Sequence, residues 1–141
     1  MNKKQYLEYI DHFNNKRYDA VTSYFTPDIT VEYFDNGTYS GPPARTLHGP
    51  REFMESYKNL HEYVREVLEL GDFMVVGNLL FAELYTEFHC FKDSPPAAGL
   101  PWKKGEASIM TNWVLYSLEG NKMKRIRIAH FRMHEPTQAK F

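Results

Sequence analysis

The spacing of apolar and polar positions changes character along the chain. Tyr6, Tyr9, Ile10 and Phe13 recur at intervals of three and four residues, which puts them on one face of a helix. A second, short helix is expected over residues 18–25. Thr26-Pro27-Asp28 closes it, because proline has no backbone N–H and disfavours the helical region in the residue before it. Ile29, Val31 and Tyr33 then alternate with Thr30, Glu32 and Phe34, the period of a half-buried strand. Gly49-Pro50 opens a longer helix, with proline in its first turn and Glu52 near the positive end of its dipole. Phe53, Tyr57, Leu60, His61 and Val64 fall on the inner face of that helix. From Val67 onward the texture is β. Runs 73–76, 79–91, 107–118 and 123–133 are rich in aromatic and branched residues, with Gly77-Asn78 and Glu119-Gly-Asn-Lys122 as hairpin turns. Helix, helix, strand, helix and a long antiparallel meander predict an α+β fold, with helices on one side of a strongly curved sheet.

At 141 residues the chain is expected to form a single domain, residues 1–141. The Gly- and Pro-rich stretches 35–45 and 92–105 read as loops, since the pieces on either side are too small to hold separate cores. Lys+Arg is 17 and Asp+Glu is 18, a net charge of −1, which argues against a nucleic-acid partner because phosphate binding needs a clustered positive excess. The single cysteine, Cys90, excludes an intrachain disulfide and a cysteine-based zinc site. Apolar runs fall far short of the ~18 residues a membrane span needs. The first residues lack the apolar core of a secretory signal. A cytoplasmic protein with no membrane partner is therefore expected. Ten Tyr and ten Phe supply enough ring surface either to pack a core or to line a cavity.

Residues 20–33 (Ala-Val-Thr-Ser-Tyr-Phe-Thr-Pro-Asp-Ile-Thr-Val-Glu-Tyr) resemble the helix-to-strand signature of the nuclear transport factor 2-like superfamily. Leu47-His-Gly-Pro-Arg-Glu-Phe53 resembles its entry to the third helix, and Gly120-Asn-Lys-Met-Lys-Arg-Ile-Arg127 its turn into the last strand. The nearest branch is the SnoaL-like one, of polyketide cyclases and ketosteroid isomerase-like proteins. The resemblance implies a cone-shaped α+β barrel, a curved antiparallel sheet wrapped around N-terminal helices that enclose an apolar pocket. The superfamily includes isomerases, dehydratases, epoxide hydrolases, cyclases and catalytically inert binding domains, so function has to be read from the site. Matched to the ketosteroid isomerase pattern, Tyr9 falls at the oxyanion-donating tyrosine and Tyr33 at the general-base aspartate. Asn112 falls at the second oxyanion donor and His130 at an aromatic pocket position. A tyrosine with an ordinary pKa of about 10 is a poor base near neutrality, so that match implies the cavity and departs at the base.

Strand parity supplies a separate test. Ile126, Ile128, His130 and Arg132 share one face; if that face is inward, His130 enters the pocket as a proton-transfer group, the other reading being a core histidine bonded to a polar neighbour. Ser108, Met110, Asn112, Val114 and Tyr116 share another face, where the Asn112 amide would either meet a substrate carbonyl or bond a loop. Ala82, Leu84, Thr86, Phe88 and Cys90 read as inward. Phe81, Glu83, Tyr85, Glu87 and His89 then face outward, where a mixed aromatic and charged surface suits a homodimer contact. A bulge that turns Glu83 or Glu87 inward as a base is the alternative. His61, four residues after Tyr57, reads either as a pocket-mouth residue or as surface. Asp35 is a rim base or a turn-former, and Arg45 and Trp102 are lid or plain surface.

No metal-binding His pair, phosphate loop or nucleophilic-serine elbow occurs. These readings converge on a cofactor-independent isomerase or cyclase acting on a hydrophobic, oxygen-bearing polyketide or terpenoid intermediate. Catalysis falls to Tyr9, Tyr33, Asn112 and His130. Phe53, Tyr57, His61, Asp35, Thr86, Glu83, Met110, Ile128 and Trp102 are expected to contact substrate. A non-catalytic binding or dimerisation module, a dehydratase and an epoxide hydrolase are the alternatives.

Overall fold

Helix α1 (Lys3–Asn14) begins at a reciprocal cap. The Asn2 side chain accepts from the Gln5 backbone N–H, and the Gln5 side chain accepts from the Asn2 backbone N–H. Its buried face is Tyr6, Tyr9, Ile10 and Phe13, as the spacing predicts. The computed structural model describes residues 1–34, 41–95 and 102–141. Helix α2 (Tyr18–Thr22) is shorter than expected, and the chain is already extended at Phe25. Pro27 therefore lies inside strand β1 (Phe25–Phe34), where the pairing with the last strand slips between Phe25 and Thr30. A residue without an N–H is tolerated at such an irregularity.

Strand β2 (Arg45–His48) runs directly into α3 (Gly49–His61); Gly49, with φ +80°, makes the sharp change of direction. Strands β3 (Val64–Val76), β4 (Leu79–Cys90), β5 (Ala107–Glu119) and β6 (Lys122–His134) follow. The helix ends at His61, so Val64, expected on the helix face, instead starts β3. The sheet order is β2-β1-β6-β5-β4-β3, antiparallel except for the parallel pair β1 and β6. The sheet stays open, with β2 and β3 as its edges, rather than closing as a barrel.

Register slips bend it. On β6, Asn112 faces His130 while Thr111 faces Arg132, so Phe131 is an extra residue; a second slip leaves Lys124 unpaired. Arg132, expected on the face of His130, is thereby turned to the other side with Thr111. Met123 and Ile126 are both buried although three residues apart. The helices cover the concave face.

The C-terminal segment, with a short 3₁₀ turn at Pro136–Gln138, folds over the convex face. The backbone N–H groups of Lys140 and Phe141 donate to the Glu87 carboxylate (2.6 and 3.2 Å), which also accepts from the Tyr85 hydroxyl at 2.6 Å and meets His89 Nε2 at 2.7 Å. Burial pushes this carboxyl up, but the Lys140 N–H and the other hydrogen bonds outweigh it and hold it down to about 2, against an ordinary value of 4.5. The unfolded chain binds this proton more readily than the folded one. Its stabilising contribution is complete above pH 4.5 and drains away as pH falls toward 2. Glu87→Gln is expected to lower the denaturant midpoint at pH 7 and to flatten its fall between pH 4.5 and 2, measured by urea titration across that range.

Candidate active site

A cavity of about 440 Å³ lies between the concave face of the sheet and helices α1 and α3. Ring stacking frames it. Phe13 meets Tyr57 edge-on at 5.2 Å, Tyr57 packs on Phe53 at 4.5 Å, and Phe53 meets Phe25 at 4.8 Å. Val31, Leu84, Val114, Ile126 and Ile128 supply the apolar floor from the strands.

Polar groups enter this lining in connected sets. On the sheet side, Asn112 is buried and its Nδ2 donates to Thr86 Oγ1 at 3.2 Å, while the Thr86 hydroxyl donates to the Leu84 carbonyl at 3.5 Å. That orientation leaves Asn112 Oδ1 as an acceptor, 2.8 Å from His130 Nδ1. The hydrogen of that contact belongs to Nδ1, so a neutral His130 ring carries its basic lone pair on Nε2. Asn112 thus orients the imidazole, a different task from the oxyanion donor that the sequence match implies. The bulge at Phe131 is what sets His130 opposite Asn112.

Across the cavity, Tyr33 and Tyr57 share a hydrogen bond of 2.6 Å. Their mutual bond uses one of two hydroxyl hydrogens and leaves the other to donate into the cavity. The Tyr9 hydroxyl has no hydrogen-bond partner among the described residues. Burial pushes all three phenols up, Tyr33 to about 12 and Tyr9 and Tyr57 well above their ordinary value of 10, so each is a neutral donor at physiological pH. At the rim, Arg45 Nη2 donates to Ser56 Oγ at 2.7 Å, and its guanidinium sits 5.9 Å from the Tyr33 ring.

The one carboxylate among the described lining residues is Glu66, on β3. Its side chain is 6% exposed, and Oε2 lies 2.9 Å from Nε2 of His61, itself 3% exposed. Nδ1 of His61 accepts from the Tyr18 hydroxyl at 2.6 Å. His61 is enclosed by Phe13, Tyr18 and Tyr57 and is neither at the pocket mouth nor on the surface.

Tyr9, Tyr33, Phe53, Tyr57, Thr86, Asn112, Ile128 and His130 all line the cavity. His61 stands behind it. Met110 pairs with Thr86 but lies outside the lining, and Trp102 stacks at 5.9 Å on Phe88, whose other side faces the cavity. Glu83 is on the convex face, accepting from Trp113 Nε1 at 2.8 Å, because β4 pairs with β5 without a slip and no bulge turns it inward. Asp35 lies outside the described residues. Glu66 was missed: the alternation Val64, Glu66, Leu68, Leu70 carries the signal, but it starts where the sequence still reads as helix. Among the described residues no group of three His, Cys, Asp or Glu side chains is placed to hold a metal ion.

Asn112→Leu removes both hydrogen bonds and strands buried partners. A loss of about 1–3 kcal/mol in unfolding free energy is expected from denaturant titration, with the His130 ring nitrogens shifted in ¹⁵N spectra.

The comparisons with known proteins agree on the architecture. An NTF2-like protein of unknown function from Burkholderia pseudomallei is 11% identical with a TM-score of 0.67, over 91% of this chain and 88% of that one. A candidate polyketide cyclase from Xanthomonas campestris is 19% identical with a TM-score of 0.62, over 87% and 84%. An LEH-like epoxide hydrolase from M. tuberculosis is 10% identical with a TM-score of 0.63, over 87% and 77%. At such identities the likeness speaks for the fold alone. No curated protein matches the sequence. The sequence profile of the SnoaL-like domain matches residues 6–126, most of the chain, and with this helix-covered open sheet around a cavity the protein belongs to the SnoaL-like domain family.

Proposed function

We propose that this protein is a cofactor-independent isomerase or cyclase for a hydrophobic, oxygenated small molecule of the polyketide or terpenoid kind. The observation that carries the reading is an imidazole oriented by Asn112 inside a ring-lined cavity that the neutral hydroxyls of Tyr9, Tyr33 and Tyr57 also line. An apolar wall holds the substrate by burial of its carbon skeleton and keeps water out. A carbonyl or enolate oxygen accepts from Tyr9 and from the spare hydroxyl hydrogen of the Tyr33–Tyr57 pair, which stabilises negative charge as it develops. His130 Nε2 moves a proton between carbon and oxygen positions of the bound molecule. An epoxide hydrolase of the type weighed from the sequence needs two inward carboxylates. The described lining holds one, Glu66, with Leu84 and Thr86 on the corresponding stretch of β4.

Thermal shift against a panel of polycyclic phenols, quinones and terpenoid ketones is expected to find compounds that raise Tm, with the gain lost in the cavity-filling variant Ile128→Trp. Each stabilising compound, incubated with the protein, should yield a rearranged product by mass spectrometry. His130→Ala and Tyr33→Phe should each lower turnover by about 10²–10⁴-fold. Binding without turnover of any stabilising compound points to a non-catalytic ligand carrier instead.

The convex face supports a homodimer. Trp113 and Phe131 stack at 3.7 Å, 13° from parallel, yet remain 40% and 43% exposed, with Phe81 edge-on to Trp113. An exposed aromatic patch of this kind is what a self-association surface buries. Light scattering on a sizing column should give twice the chain mass, and Trp113→Glu should give the monomer.

A further inference from the structure

The acid–base reading leaves one buried ionisable pair on the cavity wall without a task, Glu66 with His61. Glu66 sits on β3, three strands from β6 and His130 in the sheet order, and its Oε2 is committed to His61 Nε2 at 2.9 Å. Among the described residues Oε1 has no partner, and the side chain lines the cavity. Burying a carboxylate is costly unless it is paired and hydrogen-bonded, and here one oxygen is paired while the other is left to the cavity. His61 is itself fixed from the far side by the Tyr18 hydroxyl, and Tyr18 is only half-buried. The three groups therefore form a hydrogen-bonded line from the cavity toward the protein surface. Glu66 also sets the electrostatics of its surroundings: after burial itself, its negative charge helps push up the hydroxyls of Tyr18, Tyr33, Tyr57 and Tyr9.

Isomerisation and cyclisation remove a proton at one atom and deliver one at another, which two separate groups in the lining accomplish better than one. Resting on the acid–base reading above, we infer that Glu66 is the cavity's general base toward an activated C–H. Its Oε1 takes the proton, and His61 is a positioning residue that holds Oε2 and thereby aims Oε1. The substrate class this selects carries an acidic C–H beside a carbonyl or comparable electron-withdrawing group, with its oxygen toward the tyrosine hydroxyls. Proton removal leaves the carbon's electron pair delocalised onto that oxygen. His130, entering the step with a proton on each ring nitrogen, then returns the Nε2 proton at a different position and takes another from solvent after product release. The proton on Glu66 Oε1 leaves to water when product departs and solvent enters the cavity.

The test uses 5-nitrobenzisoxazole as a probe base-acceptor, independent of the natural substrate. A base takes its C3 proton, the C–H electron pair completes the nitrile, and the N–O bond breaks with its pair left on the phenolate oxygen. Wild-type protein is expected to accelerate this elimination beyond acetate at equal concentration, with saturation. Glu66→Gln should lower kcat by about 10²-fold or more. His130→Ala should lower it by less than Glu66→Gln, and the exposed Glu55→Gln not at all. His61→Leu should lower kcat with KM held within a few-fold, and His61→Gln, which can still donate an N–H, should restore most of it. Circular dichroism and thermal melts check that each variant folds. If Glu66→Gln does not fold, Glu66→Asp, which withdraws the carboxylate by one methylene, is expected to fold and to lose about tenfold. A loss that follows His130 while Glu66→Gln keeps its rate overturns the assignment of Glu66 and leaves the acid–base reading standing on His130. No acceleration by the wild-type protein, or equal rates in every variant, overturns the inference outright. Failure of the acid–base reading itself would show separately, as binding without turnover in the compound panel.

Discussion

The aromatic wedge between α1 and α3 is the constraint on which the rest of the molecule depends. Phe13, Tyr57, Phe53 and Phe25 meet edge-on or tilted, at 4.5–5.2 Å, and hold the two helices above the concave face of the sheet. Rings in such arrangements are stiff and cannot collapse into the space beneath them. The sheet meanwhile curves away from the helices because β3 and β6 each carry extra residues. A stiff roof over a bent floor leaves a hollow, and that hollow is the candidate site.

A hollow in a core tolerates polar groups best when they have partners. This one arranges them as small closed sets: Thr86–Asn112–His130, Tyr33 with Tyr57, and Tyr18–His61–Glu66. Deeper in, Tyr6 and Tyr116 satisfy one another at 2.7 Å. Each set holds its groups in a defined orientation, and the Tyr33–Tyr57 pair leaves one hydroxyl hydrogen for the cavity. Orientation is thus a by-product of avoiding unsatisfied burial. The same rule acts on the convex side, where the buried Glu87 is held by the C-terminal backbone N–H groups together with Tyr85 and His89.

Much of this was legible in the chain. The helical spacing of Tyr6, Tyr9, Ile10 and Phe13 led to the correct buried face of α1, and Gly49-Pro50 to the start of α3. Alternation puts Leu84 and Thr86 inward on β4, where the structure has them, while Glu83, expected to contact substrate, lies on the convex face with Trp113. Boundaries were less legible. Phe25 and Val64 read as helical because an apolar residue at the end of a helical stripe looks the same as the first inward residue of a strand. Misplacing the start of β3 concealed Glu66, whose parity becomes visible only once Val64 is known to be extended. His61 looks like a mouth or surface residue from the sequence because nothing local shows that Phe13 and Tyr18 close over it.

The sequence by itself therefore determined the class of fold, the apolar faces and the ring-rich interior, because periodicity is a local property carried by a dozen residues at a time. The tertiary structure alone decided which polar groups meet. The extra residue at Phe131 brings His130 opposite Asn112 and turns Arg132 away, and the return of α3 into β3 brings His61 onto Glu66. Both depend on registration between segments far apart in space or on either side of a turn. A shift of one residue in such a register exchanges the inner and outer faces, and the side chains on one strand do not encode where its neighbour will slip.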